Sequence, residues 1–249
     1  MQPQAVMKKQ SFTALSSTVL VIAALASPQA LAQSVNPIGT LTASPNLVPA
    51  GTRPTLTWSV TYPVSVMDYV TIKIPGGITP KQNLVCDVRI IGASVTTQDA
   101  KGKTVYLETL GQILCNGAST WSTIFDGLNT DTRIQTQAIV KSFTATANQP
   151  INFGGYYINK VKSFAYTSQI GDNVRFQVNG DTPPSNLPGC NDASLNSFLK
   201  PYLNASGKVQ IGPMDVIIFM ELTTNNKATL GYDLQDLVFL VTFTKPLNP

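Results

Sequence analysis

Two apolar runs near the C-terminus constrain this chain most. "DVIIFMELTT" (Asp215–Thr224) and "LVFLVTFTK" (Leu237–Lys245) read as strands built on near-continuous apolar runs, Val216–Met220 and Leu237–Val241. A strand with one wet face alternates polar and apolar residues, whereas a strand covered on both faces does not. These two segments therefore predict central strands, with Val216, Ile218 and Met220 on one face and Ile217 and Phe219 on the other.

Upstream, period-2 alternation recurs and helical periodicity almost disappears. "PTLTWSVTYP" places Leu56, Trp58, Val60 and Tyr62 on one face and Thr55, Thr57, Ser59 and Thr61 on the other, the pattern of a half-buried strand. "DYVTIKI", "NLVCDVRIIGASVTT", "TVYLETL", "RIQTQAIVKSFTAT", "INFGGYYIN", "KVKSFAYTSQI" and "NVRFQVNGD" continue the pattern. Glycine, proline and asparagine separate them, and "DAKGK" (Asp99–Lys103) reads as a hairpin turn. One segment departs. "CNDASLNSFLKPYLNASG" carries Leu195, Phe198, Leu199 and Tyr202 at helical spacing, which predicts a short helix near residues 192–203, stopped early by Pro201. The fold expected is all-β: an immunoglobulin-like antiparallel sandwich with one short helix. A small outer-membrane barrel would alternate in the same way, but the doubly apolar terminal strands and the helix count against it.

The N-terminus has its own signature. Lys8 and Lys9 precede an apolar stretch from Ala14 to Ala26, and Ala30-Leu31-Ala32 offers small residues at a cleavage site. This is the pattern of a secretory signal peptide over residues 1–32, with residues 33–249 as a single sandwich domain. The apolar stretch is short for a span of about 20 residues, so no transmembrane anchor is expected after cleavage. The protein is expected in the periplasm, at the cell surface or outside the cell.

Two resemblances follow from these segments. "SPNLVPAGTRPTLTWSVTYP", with its turn glycine before an L-x-W-x-V strand, resembles the opening of bacterial immunoglobulin-like domains. "VNGDTPP", "SFLKPYLNASGKVQIGPMDVIIFMELT" and "GYDLQDLVFLVTF" resemble an uncharacterised group of exported β-rich bacterial proteins, and that resemblance implies no activity.

Composition narrows the chemistry. The chain has no histidine, which removes Ser-His-Asp and Cys-His catalysis and the commonest zinc ligand. Charged residues are 12% of the chain and the net charge is +4, with no basic run, so nucleic acid is not an expected partner. Ser197-Phe198-Leu199-Lys200 matches S-x-x-K without the companion S-D-N and K-T-G, and reads as one face of an amphipathic helix. Cys86, Cys115 and Cys190 allow at most one intramolecular bridge. Cys86–Cys115 is the first pair to test, against a reading in which Cys86 is a small core residue beside Val88 and Ile90. No cofactor or metal is expected.

Asp215 and Glu221 share a strand face but stand roughly 20 Å apart at about 3.3 Å per residue, too far for a catalytic pair. Antiparallel pairing of the terminal strands would instead bring Asp215 near Lys245. Asp233 and Asp236 read as turn caps rather than calcium ligands. The candidate binding residues are aromatic: Trp121 in "GASTWSTIFDG", and Tyr156 and Tyr157, which must point to opposite faces of a strand. The expectation is a non-catalytic exported protein with a structural or adhesive role, assembling with itself or with envelope proteins. A polysaccharide-binding module is the alternative, and a carboxylate-based hydrolase comes third.

Overall fold

The computed structural model describes residues 38–43, 51, 56–61, 64–158, 163–169, 171–184, 200–229 and 231–246. The expected signal peptide, Cys190 and Ser197 lie outside them. An N-terminal hairpin joins β1 (Ile38–Ala43) and β2 (Leu56–Thr61). A helical turn α1 (Val66–Tyr69) leads into β3 (Val70–Lys73) and β4 (Gly77–Pro80). Then come β5 (Leu84–Gly92), β6 (Thr96–Gln98), β7 (Thr104–Tyr106), β8 (Thr109–Leu114) and β9 (Ser122–Gly127). A second helical turn α2 (Thr132–Gln135) precedes β10 (Ile139–Ala145), β11 (Asn152–Tyr157), β12 (Ser163–Tyr166) and β13 (Val174–Val178). The chain closes with β14 (Asp215–Met220) and β15 (Leu237–Thr244).

Two antiparallel sheets form the body. One has five strands in the order β10-β5-β15-β14-β13, the other four in the order β12-β11-β8-β9. Val88, Ile90, Val216, Ile218, Met220, Phe239 and Val241 of the first sheet share one buried cluster with Ile113, Phe125 and Phe153 of the second. Phe153 and Phe239 meet across the interface with ring centroids 5.3 Å apart. Burying each such side chain contributes about 1.5–3 kcal/mol. The expected all-β sandwich is thus the fold.

The opposite face of the five-stranded sheet is also dry where β14 and β15 lie. Ile217, Phe219, Val238 and Leu240 pack under Val209, Ile211, Tyr232 and Leu234. This second layer explains why β14 and β15 lack alternation, and Ile218 is fully buried as expected. Cys86 also lies in the core with Val88 and Ile90, and Cys86 and Cys115 are both free thiols.

Three expectations need correction. First, β2 forms as a strand, but its apolar residues are not half-buried. Leu56, Trp58 and Val60 are exposed, because among the described residues β1 and β2 pair only with each other. β2, the described strand of the immunoglobulin-like opening pattern, therefore sits outside both large sheets. Second, Asp215 pairs with Thr242, three positions short of Lys245, whose Nζ lies 4.8 Å from the centre of the Tyr69 ring. The register is set by a long connection over residues 221–236 rather than by a tight turn. Third, Asp68 and Tyr69 belong to α1, not to a strand. Ser65 caps that turn, accepting from Met67 N while its own N–H donates to the Asp68 carboxylate, a capping box that outweighs the β-propensity downstream. Residues 132–135 likewise turn helical under the Asp131 cap before β10 begins. Of the helix expected near residues 192–203, residues 192–199 lie outside the described residues, and Lys200–Tyr202 form one 3₁₀ turn. Pro201 in that turn cannot extend a hydrogen-bonded helix.

Candidate functional site

The outer face of the four-stranded sheet collects aromatic side chains. Phe153 of β11 points into the core, so its neighbours Gly154 and Tyr156 point outward. Tyr166 of β12 sits opposite Gly154. Trp121, just before β9, stacks on Tyr166 with centroids 4.8 Å apart and planes tilted by 42°. Glycine is required beneath them. A Cβ on Gly154 would fall 2.2 Å from the Tyr166 ring and 3.2 Å from that of Trp121. Tyr156 is the diagonal neighbour of Tyr166 on the same face. All three rings are half-buried, and burial pushes the Tyr166 phenol up, helped by Tyr156. Two of the three aromatics singled out in the sequence, Trp121 and Tyr156, thus share this face. Tyr157 turns the other way and packs against the core. Tyr166 was not foreseen, since "SFAYTSQ" shows only that it lies on a strand, and the β11–β12 register is what seats it over Gly154.

A cleft opens beside Tyr166. It has a volume of about 290 Å³ and its polar lining comes from Gln169, Asp172, Asn173, Asn225 and Lys227. Asp172 pairs with Lys227 and, at 2.6 Å, with Arg175, and these bonds hold its carboxyl below its ordinary value. Asn173 Nδ2 donates to the carbonyls of Glu221 and Thr224 and to Asn225 Oδ1, fixing the floor of the cleft to the 221–225 segment.

The acids behave differently from their sequence spacing. Glu221 finds its partner in Asp236, not Asp215. Carboxyl oxygens of Glu221, Asp233 and Asp236 lie within 4.8 Å of one another. Glu221 and Asp236 are buried. Glu221 accepts hydrogen bonds from the N–H groups of Thr223, Thr224, Asp233 and Leu234 and from the Thr223 hydroxyl. Asp236 accepts from the N–H groups of Leu222 and Thr223. Asp233 accepts from Gln235 N, an Asx-type turn. A cation here would compete with these backbone donors for the same oxygens, so the geometry favours the turn-capping role expected for Asp233 and Asp236. Burial, then the charge of Glu221, raises the Asp236 carboxyl well above its ordinary value.

A second carboxyl pair lies at the surface. Glu108 is raised by a hydrogen bond with Asp126, and both line a shallow cleft with Asp131. Asp131 is held down by Arg133, whose guanidinium lies 4.8 Å over the Phe125 ring. Two carboxyls in direct hydrogen-bond contact leave no room for the water or sugar that separates glycosidase carboxylates by about 5–9.5 Å.

The N-terminal hairpin presents a third feature. Its register pairs Leu41 with Trp58 and Gly39 with Val60. Leu41, Leu56 and Trp58 are each about 60% exposed or more, and Val60 is exposed too. Trp58 folds across β1, since a Cβ on Gly39 would fall 3.0 Å from its ring. Thr40, Thr57 and Ser59 occupy the other face, so the ribbon is polar on one side and apolar on the other.

Fold and surfaces together define a class: an all-β sandwich of antiparallel sheets, with an aromatic outer face, a polar cleft beside it and an apolar N-terminal ribbon. No protein-family description, curated protein or solved structure matches the chain. No helix among the described residues is long and apolar enough to cross a membrane.

Proposed function

We propose that this is an exported, non-catalytic protein that works by assembly, associating with a second copy of itself through the apolar face of the β1–β2 ribbon. The observation that carries this reading is the exposed row Leu41, Leu56, Trp58 and Val60 on one side of a hairpin. A lone two-stranded hairpin is marginally stable in water, and a ribbon with a continuous apolar face gains most by laying that face on another sheet. The two strands carry no charged residue, so bringing two copies together face to face costs no charge burial. A self-complementary patch also suits two-fold pairing. The signal-peptide pattern of residues 1–32 supports a site of action in the periplasm, at the cell surface or beyond it.

Sedimentation of the mature chain tests the proposal. Wild-type protein is expected to form dimers or larger assemblies at micromolar concentration, and Trp58→Asp to sediment as a monomer with unchanged β-sheet circular dichroism. A wild-type chain that stays monomeric up to about 100 μM, a weak association of about 5 kcal/mol, would sink it.

A further inference from the structure

We infer that the cleft beside Tyr166 is a saccharide-binding site, taking one ring of a neutral glycan with its C–H face on Tyr166 and its hydroxyls on Asp172, Asn225 and Lys227. The inference is independent of the hairpin, which lies on other strands.

A pyranose has two chemical aspects. Its axial C–H groups form an apolar face, which packs on an aromatic ring, and its rim carries hydroxyls that each donate and accept. The cleft offers both. Tyr166 forms one wall, and its ring is backed by Trp121 at 4.8 Å and seated over Gly154. That support holds the ring in place before any ligand arrives, which reduces the ordering cost of binding. Around the ring stand acceptors and donors suited to hydroxyls: the Asp172 carboxylate, the Asn225 side chain, the Lys227 ammonium and the Gln169 amide.

Charge and size narrow the ligand further. Asp172 already pairs with Lys227 and Arg175, so both cations are engaged by a carboxylate before any ligand arrives. A phosphate or sulfate would also meet the Asp172 carboxylate, whereas a neutral hydroxyl can donate to it. The volume of about 290 Å³ lies at the small end of the roughly 300–1,000 Å³ usual for small-molecule sites, which suits one sugar ring rather than a folded oligomer. The aromatic face runs on past the cleft through Trp121 and Tyr156, giving neighbouring rings of a chain a surface to lie on.

The chain has two tryptophans, so Trp58→Phe leaves Trp121 as the only indole reporter beside the site. In that background the mature chain is titrated with gluco-, manno-, xylo- and chito-oligosaccharides while Trp121 fluorescence and backbone amide shifts are followed. At least one series is expected to give saturable changes in Trp121 emission and in the amides of Gln169 and Asn225. Asn225→Ala and Lys227→Ala, both at exposed positions, should each weaken that binding by about 5- to 10-fold with unchanged circular dichroism. The inference is overturned if no oligosaccharide perturbs Trp121 or these amides up to about 10 mM. It is equally overturned if binding survives both substitutions at full strength, or if the amide changes map to another face.

Discussion

Glu221 and Asp236 place their carboxyl groups together in the interior, and the loop amides of residues 222–224, 233 and 234 close around them. Asp236 is only 4% exposed and its carboxyl is raised well above the ordinary 3.8, so it holds a proton where an unfolded chain would release it. Above pH 3.8 the native state therefore binds more protons than the unfolded state. Stability must then fall as pH rises from about 3.8 through the native pKa of Asp236, and this contribution is fully present only below 3.8. Asp236→Asn keeps an acceptor for Leu222 and Thr223 and cannot ionise. Denaturant melts are expected to show a flatter pH profile for this variant, within about 1 kcal/mol of wild type at neutral pH. Asp236→Ala strands the buried Leu222 amide, while Thr223 N keeps its bond to Glu221, and should cost about 1–3 kcal/mol. An Asn variant whose stability declines with pH as steeply as wild type would refute this role.

Gly77 has φ +72°, and a Cβ there would meet the Ile151 carbonyl oxygen at 2.2 Å. That carbonyl accepts from Ile78 N, and Ile78 O accepts in turn from Ile151 N, which ties β4 to the start of β11. Gly77→Ala should therefore cost about 2 kcal/mol or more, combining backbone strain with overpacking. Gly102 also has positive φ, at +76°, but open space around it. Gly102→Ala should cost only the strain, about 1 kcal/mol. Urea midpoints of the two variants check the ordering; equal losses would contradict it.

Cys86 is fully buried on β5, in the core between the sheets, and burial drives its thiol far above the ordinary thiol range. Cys115 is partly exposed and raised less directly, because Lys141 works against the burial. In a Cys190→Ser background, a thiol reagent at pH 8 is expected to modify Cys115 in the native protein and Cys86 only after unfolding. Two native thiols reacting at the same rate would contradict the burial of Cys86. No reaction even in denaturant would mean that the two are bridged.

Much of the sandwich was legible because strand burial has a period of two. Val216, Ile218 and Met220 face one apolar layer and Ile217 and Phe219 another, as the unbroken apolar run required. Trp121 and Tyr156 could be picked out as outward candidates, but Tyr166 could not, since which strand lies beside β11 is not written in local pattern. The same limit misled the reading of β2. Alternation shows that one face is apolar, and only the sheet pairing shows whether anything covers it.

Residue pattern alone was enough to establish that the chain is built of strands, that β14 and β15 lie between two dry layers, and that histidine-based chemistry is absent. Those follow from side-chain period and residue type, which are local properties. The tertiary structure alone decided that Glu221 meets Asp236 rather than standing against Asp215, and that Asp215 faces Thr242. It also decided that Tyr166 backs onto Trp121 above a polar cleft. Each of these depends on register and on loop closure over many residues, where one shifted pairing moves every side chain to a new partner.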